Sequence, residues 1–135
     1  MRPLFALLLA AAPLVAQVTP KWEHNLDAAL KRAKAEKKQV FVDIWAEWCP
    51  PCQHLKKNVF PTPEAGAALA KMVPASLLVQ TQDRKDLPDG MAAARRFNVE
   101  AFPTLLVLDA NGKEVRRQVG AFRTGTDLAK WLEGK

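Results

Sequence analysis

The sequence is poor in side chains that bind metals: two of its 135 residues are cysteine, Cys49 and Cys52, and two are histidine, His24 and His54. A structural zinc site needs four ligands, and neither a second CxxC nor a spaced histidine pair is present, so the pattern excludes one. Covalent haem attachment needs histidine directly after the second cysteine; position 53 is glutamine, and His54 falls one place late. His54 therefore reads as a surface helix residue. No basic stripe is interleaved with aromatic residues for stacking, so the net charge of +6 describes a solvated basic surface and not a nucleic-acid face. No linker, repeat or low-complexity segment divides the chain, and 49% apolar composition supplies one domain with a real core.

Long hydrophobic runs are also scarce. The longest apolar stretch lies in MRPLFALLLAAAPLVA, residues 1–16, with one charge at Arg2 and a small residue, Ala16, where a signal peptidase could cut. It is shorter than the roughly twenty residues of a spanning helix and carries Pro3 and Pro13, so a secretory signal is expected, with an uncleaved anchor as the alternative. Leu14 is a mediocre residue three before the cut, and no cysteine at the junction suggests a lipoprotein. Cleavage would leave a domain over 17–135, lower the net charge from +6 to about +5 by removing Arg2, and leave no membrane span.

What is present has the periodicity of an α/β domain. Leu26, Ala29, Leu30 and Ala33 form one face of a helix behind a cap at Asn25. Val40, Phe41, Val42, Ile44 and Trp45 then make a near-continuous apolar run, as in a strand covered on both faces. A helix starts at Cys49, its inward face running through Cys52, Leu55 and Val59 until Pro61 and Pro63 interrupt it; Ala65, Ala68, Leu69 and Met72 resume the period. Ala75 to Val79 reads as a second buried strand, and Asp86 to Asn98 as a helix turning Met91, Ala94 and Phe97 inward. FPTLLVLDANGKEVRRQVG reads as two antiparallel strands joined at Asn111-Gly112, residues that tolerate φ > 0. Thr124, with Asp127 three residues on, starts a last helix that buries Leu128, Trp131 and Leu132. Alternating strands and helices predict a mixed central sheet with helices on both faces.

The cysteines stand at FVDIWAEWCPPCQHL, residues 41–55. As a structural staple they would do little, because closing so short a loop removes only about 2 kcal/mol of unfolded-state entropy against nearly 5 for a hundred-residue loop. A redox dithiol accounts for more. A thiol at a helix N-terminus faces the positive end of the helix dipole and unused backbone N–H groups, which stabilise its thiolate. Pro50 and Pro51 fit the first turn, where their missing donors cost little. Cys49, expected as an exposed thiol at the helix cap, is thus the candidate nucleophile, and Cys52, one turn inward and shielded, the resolving thiol that attacks the mixed disulfide.

FVDIWAEWCPPC resembles the active-site strand and helix of thioredoxins, with Asp43 six residues before Cys49 and Trp48 directly before it. Phe102-Pro103-Thr104 is similar to that family's cis-proline element, and LKKNVF, RRFNVEAFPTLLVLDANGKEV and VGAF most resemble the C-terminal extracytoplasmic domain of DsbD-type thiol:disulfide interchange proteins. The resemblance covers nearly all of the chain after residue 16. It implies a thioredoxin fold with four to five strands, and an extracytoplasmic thiol:disulfide oxidoreductase, periplasmic or secreted, that reduces disulfides in partner proteins. It also implies that Asp43 is a buried acid of raised pKa moving a proton to or from Cys52, and that Trp48, Phe102 and Pro103 meet the substrate. Trp22, Trp45 and Trp131 are expected in the core. No metal and no cofactor are expected; the partners would be cysteine-containing proteins and a separate protein electron donor, and the chain a monomer. Three departures stand out: Pro-Pro where thioredoxins commonly have Gly-Pro, a longer stretch between Cys52 and Pro103, and no evident counterpart of the thioredoxin lysine near the buried acid. A non-catalytic binding or metal-delivery module on the same fold is the competing function.

Overall fold

The computed structural model describes residues 11–12 and 19–135. The signal segment expected over residues 1–16 lies outside them but for residues 11 and 12. Asn25 caps helix α1, Leu26–Glu36, through a side-chain oxygen that accepts the N–H of Ala28. The chain turns at Lys37, in the left-handed region, into strand β1, Val40–Ala46. Helix α2, Pro50–His54, follows at once and runs into one π-helical turn, Leu55–Val59, closed by the N–H of Phe60 on the Leu55 carbonyl. Helix α3, Pro63–Ala70, is capped by Thr62 and leads to β2, Val73–Gln80. Then come α4, Pro88–Arg96, the hairpin β3, Thr104–Leu108, with β4, Glu114–Val119, and α5, Gly125–Leu132, capped by Thr124.

The sheet order is β2-β1-β3-β4, with β1 and β2 parallel and the β1–β3 and β3–β4 pairs antiparallel. This is the thioredoxin fold, with four strands among the described residues, the lower end of the expected range. Strand β1 is central and buried on both faces, which is why its sequence is nearly unbroken in apolar residues. On one face Val40, Val42 and Ile44 meet α1 and α4; on the other Phe41, Leu105 and Val107 meet Leu55, Val59, α3 and α5. Among the described residues no helix is long and apolar enough to cross a membrane.

Three local expectations need revision. Strand β2 begins at Val73, two residues before the predicted Ala75, and so contains Pro74. Proline fits there because β2 is an edge strand and the outer side of Pro74 faces Glu23, whose N–H donates to the Pro74 carbonyl at 2.8 Å; no bond to β1 is lost. Helix α4 is shorter than predicted, since Leu87 takes the cap position ahead of Pro88 and Asn98 adopts a left-handed conformation. In the hairpin only Gly112 has positive φ (85°). The Asp109 carboxylate holds the turn instead, accepting the N–H groups of Asn111 and Lys113 at 2.9 and 3.0 Å.

Gly90 marks the tightest helix–sheet approach. A Cβ there would overlap the Leu78 carbonyl of β2, a backbone group that cannot swing aside. Gly90→Ala is therefore expected to cost about 1–3 kcal/mol by overpacking despite alanine's better helix propensity. Urea denaturation at neutral pH measures it, and an unchanged or raised midpoint would show that α4 moves away freely.

Candidate active site

The turn from β1 into α2 builds the site. Cys49 is the N-cap residue in extended conformation, with Pro50 and Pro51 as the first two helical residues. Because neither proline has an N–H, the first donor of the helix is that of Cys52, which points at Cys49 Sγ at 3.3 Å. The two cysteines form a disulfide with Cα atoms 5.3 Å apart. Both sulfur residues are covered, Cys49 being 2% and Cys52 0% exposed, with Trp45, Trp48 and Phe102 packed against them. Contrary to the expectation of an open and a shielded thiol, exposure does not distinguish the pair in this oxidised state; position does, Cys49 at the cap and Cys52 inside the first turn.

Asp43 is fully buried in the middle of β1, on the sheet face that carries Phe41, and neither carboxylate oxygen has a hydrogen-bond partner. Burial pushes its pKa up to about 7, opposed by the charge of Lys56. The sequence shows no evident counterpart of the thioredoxin lysine near the acid, but a lysine, Lys56, does reach it electrostatically. It comes from the π-helical turn after α2, half-buried, with Nζ 3.6 Å above the ring of Trp45 and 3.4 Å from Ser76 Oγ. Burial lowers its own pKa and Asp43 raises it back. A signal for it existed: Lys56 is four residues after Cys52, hence on the same side of the helix. Trp45 is no anonymous core residue. It is half-buried, its indole N–H donates to Ser76 Oγ at 2.8 Å, and it lines the disulfide. Trp22 and Trp131 are also only partly buried, packed at the edge of the core cluster around Phe41.

The Phe102–Pro103 peptide bond is cis, and the Pro103 carbonyl accepts the N–H of Gly120 at 2.8 Å, tying the loop to the end of β4. Trp48 and Phe102 meet edge to face, ring centroids 5.9 Å apart. Trp48 also donates its indole N–H to Gln80 Oε1 at 2.9 Å and lies beneath the Arg84 guanidinium at 4.3 Å, two partners that the sequence reading did not single out. The structure thus brings Cys49, Cys52, Trp48 and Phe102 together, with Pro103 joined to Phe102 by the cis bond and Asp43 buried in β1 within electrostatic reach of Lys56. His24 is exposed and takes no part. His54 is bound to the Arg123 carbonyl and to Asn58, and among the described residues no group of three metal-ligating side chains converges.

A disulfide closing the first turn of a helix, over a mixed sheet and beside a cis-proline, defines a thioredoxin-fold protein with a dithiol–disulfide centre. The thioredoxin-like domain family matches residues 26–134, and the chain belongs to it. Over 122 residues the chain is 30% identical to the thiol:disulfide interchange protein DsbD of Haemophilus influenzae, a match covering 88% of this chain and 20% of that protein. The chain spans about a fifth or less of the length of the curated relatives it matches first. Among solved structures, a thioredoxin from Thermus thermophilus shares 31% identity at a TM-score of 0.71, covering 86% of each chain. The C-terminal domain of Neisseria meningitidis DsbD in its oxidised form shares the fold at a TM-score of 0.67 and 22% identity, covering 81% of this chain and 91% of that one.

The raised Asp43 pKa fixes a sign for stability. The folded protein holds this proton up to about pH 7, whereas the unfolded chain releases it near pH 4. Between those values the unfolded state binds fewer protons, so stability falls as pH rises, by an amount on the order of 4 kcal/mol. Asp43→Asn should flatten that decline in denaturant titrations between pH 5 and 8. Lys56→Met, which keeps an apolar contact with Trp45, should move the Asp43 titration above its present midpoint. An unmoved midpoint would mean that Lys56 does not reach the carboxyl electrostatically.

Proposed function

We propose that this chain is an extracytoplasmic thiol:disulfide oxidoreductase that reduces disulfides of partner proteins. One observation carries it: the Cys49 sulfur sits where the helix presents its first N–H and its positive end, while Cys52 lies buried within reach of it. In the reduced protein the Cys49 thiolate attacks one sulfur of the partner's disulfide; a mixed disulfide forms, and the partner's other sulfur leaves as a thiolate that takes up a proton. Cys52 then loses its proton and attacks Cys49 Sγ, closing the intramolecular disulfide and releasing the second partner thiol. Two electrons and two protons pass to the partner.

Asp43, buried in the strand that leads to Cys49 and poised near neutrality, is the group that accepts the Cys52 proton on the way out and returns it when the disulfide is reduced again. Trp48, Phe102 and Pro103 form the surface that the partner's cysteine segment meets. In this reading a separate dithiol protein re-reduces the pair. The signal-like residues 1–16, the domain taken as 17–135, and the similarity to DsbD support a periplasmic or secreted location, with an uncleaved N-terminal anchor as the alternative; the protein acts as a monomer.

With Pro50 and Pro51 withholding two N–H donors, the Cys49 thiolate is only moderately stabilised, so the disulfide is comparatively hard to reduce and the dithiol is a fair reductant. Equilibration with glutathione buffers should give a reducing potential; a strongly oxidising one would recast the protein as an oxidase or isomerase. Dithiothreitol-driven insulin reduction separates this reading from a metal-delivery or binding module, which would show no acceleration and would retain metal stoichiometrically.

The order of attack is tested by trapping. Cys52→Ser incubated with a disulfide-bonded protein should accumulate mixed disulfides through Cys49 on non-reducing gels, and Cys49→Ser few or none. The reverse pattern would exchange the two roles.

A further inference from the structure

Trp48 is more firmly held than a ring at the mouth of a site needs to be for packing alone. Strand β2 carries a register irregularity at its end: Trp45 pairs with Leu78 and Ala46 with Gln80, skipping Val79. Such a break re-aims the side chain beyond it, and the Gln80 amide sits between two partners, accepting from Trp48 Nε1 at 2.9 Å and donating through Nε2 to Asp86 Oδ1 at 2.7 Å. The following loop closes on itself at Thr81, whose N–H donates to the Lys85 carbonyl and whose carbonyl accepts the N–H of Arg84. It is pinned to the site by the Glu47 carboxylate, which accepts the Gln82 N–H at 2.7 Å. At its tip Arg84 adopts a left-handed conformation, φ 63°, which is unfavourable for any residue but glycine. That conformation is accompanied by a guanidinium carbon 4.3 Å over the Trp48 ring. Trp48 in turn packs on the disulfide with Phe102, and Cys49 is left 2% exposed.

We infer, on the reading of this site as a thiol-exchange centre, that Arg84 and Gln80 are positioning residues that clamp Trp48 over Cys49 and so set selectivity for extended protein segments over small disulfides. A fixed ring gives a partner segment a ready-made wall against Phe102 and the cis-proline loop, so no ordering of Trp48 has to accompany docking. The same fixed ring restricts approach to the sulfur, so a small reagent, which gains nothing from the wall, meets only the obstruction. Releasing the ring should move the two substrate classes in opposite directions.

Arg84→Gly is the informative variant because glycine suits the left-handed conformation, so the loop and fold are kept while the guanidinium is lost. In the full chain, kcat/KM is measured for insulin and for a small aromatic disulfide, dithiobis-nitrobenzoate. The ratio of insulin to small disulfide is expected to fall about three-fold, the size of one exposed cation–π contact, with the melting temperature unchanged or raised. Arg84→Lys should restore part of the ratio, and Gln80→Leu should lower it on its own. An unchanged ratio, or an equal loss on both substrates, would overturn the clamp. Should the wild type reduce neither substrate, the thiol-exchange reading itself fails. The clamp then stands or falls on alkylation of reduced Cys49 by iodoacetamide at a pH where the thiol is fully ionised: faster in Arg84→Gly supports it, and an equal rate refutes it.

Discussion

The contact on which the site depends is the N–H of Cys52 pointing at Cys49 Sγ. A helix begins with backbone donors that have no internal partner, and here two are removed by Pro50 and Pro51. The sulfur therefore caps a helix that has little else to offer it. This one arrangement places Cys49 at the cap and Cys52 inside the first turn, and keeps the disulfide within a single turn. It also limits how strongly a thiolate can be held, because the dipole remains while most of the hydrogen bonding is gone. Strand β1 delivers Cys49 to this point, and its burial on both faces makes the delivery rigid.

Behind the cap the structure retains a group that works against folding. A carboxyl with no hydrogen-bond partner in the middle of a central strand is costly whether neutral or charged, and most so when charged. A nearby cation moderates this without removing it. Lys56 is itself half desolvated and is shared with the Trp45 ring and Ser76, so it lowers the Asp43 pKa only part of the way and leaves it near 7. A full ion pair would have returned the acid to its usual range and left it ionised at neutral pH; no cation at all would have kept it protonated throughout. The half-buried lysine holds the acid between these limits.

Much of this could be read from the residues. Local signals carried the elements: the Asn25 and Thr124 caps, the near-continuous apolar run of β1 and the position of Cys49 all stand where the periodicity places them. The misplacements arise where a distant group decides. Pro74 lies inside a strand because Glu23 covers the edge beyond it, a contact made from the other side of α1. Lys56 escaped notice because a lysine after CxxC looks like any solvent-facing helix residue until the sheet beneath it is known. The burial of Cys49 was likewise hidden, since it depends on Phe102, some fifty residues on, meeting Trp48. Gln80 owes its role to a strand irregularity with no sequence mark of its own.

These nonlocal features share a direction. Trp45 with Lys56 lines one part of the disulfide, and Trp48 with Arg84 another. Each indole N–H is bound to a side chain of β2, Ser76 or Gln80, four residues apart along one strand. A strand is stiff over that distance and β2 is paired along its length with the buried β1, so the two rings cannot drift independently. On the proposed function, the local chemistry of the cap makes the sulfur reactive, but the edge strand governs what reaches it. Reactivity and access are therefore set by different elements, and a change in β2 or its following loop can alter the choice of partner while leaving the helix start, and the chemistry it supports, as it is.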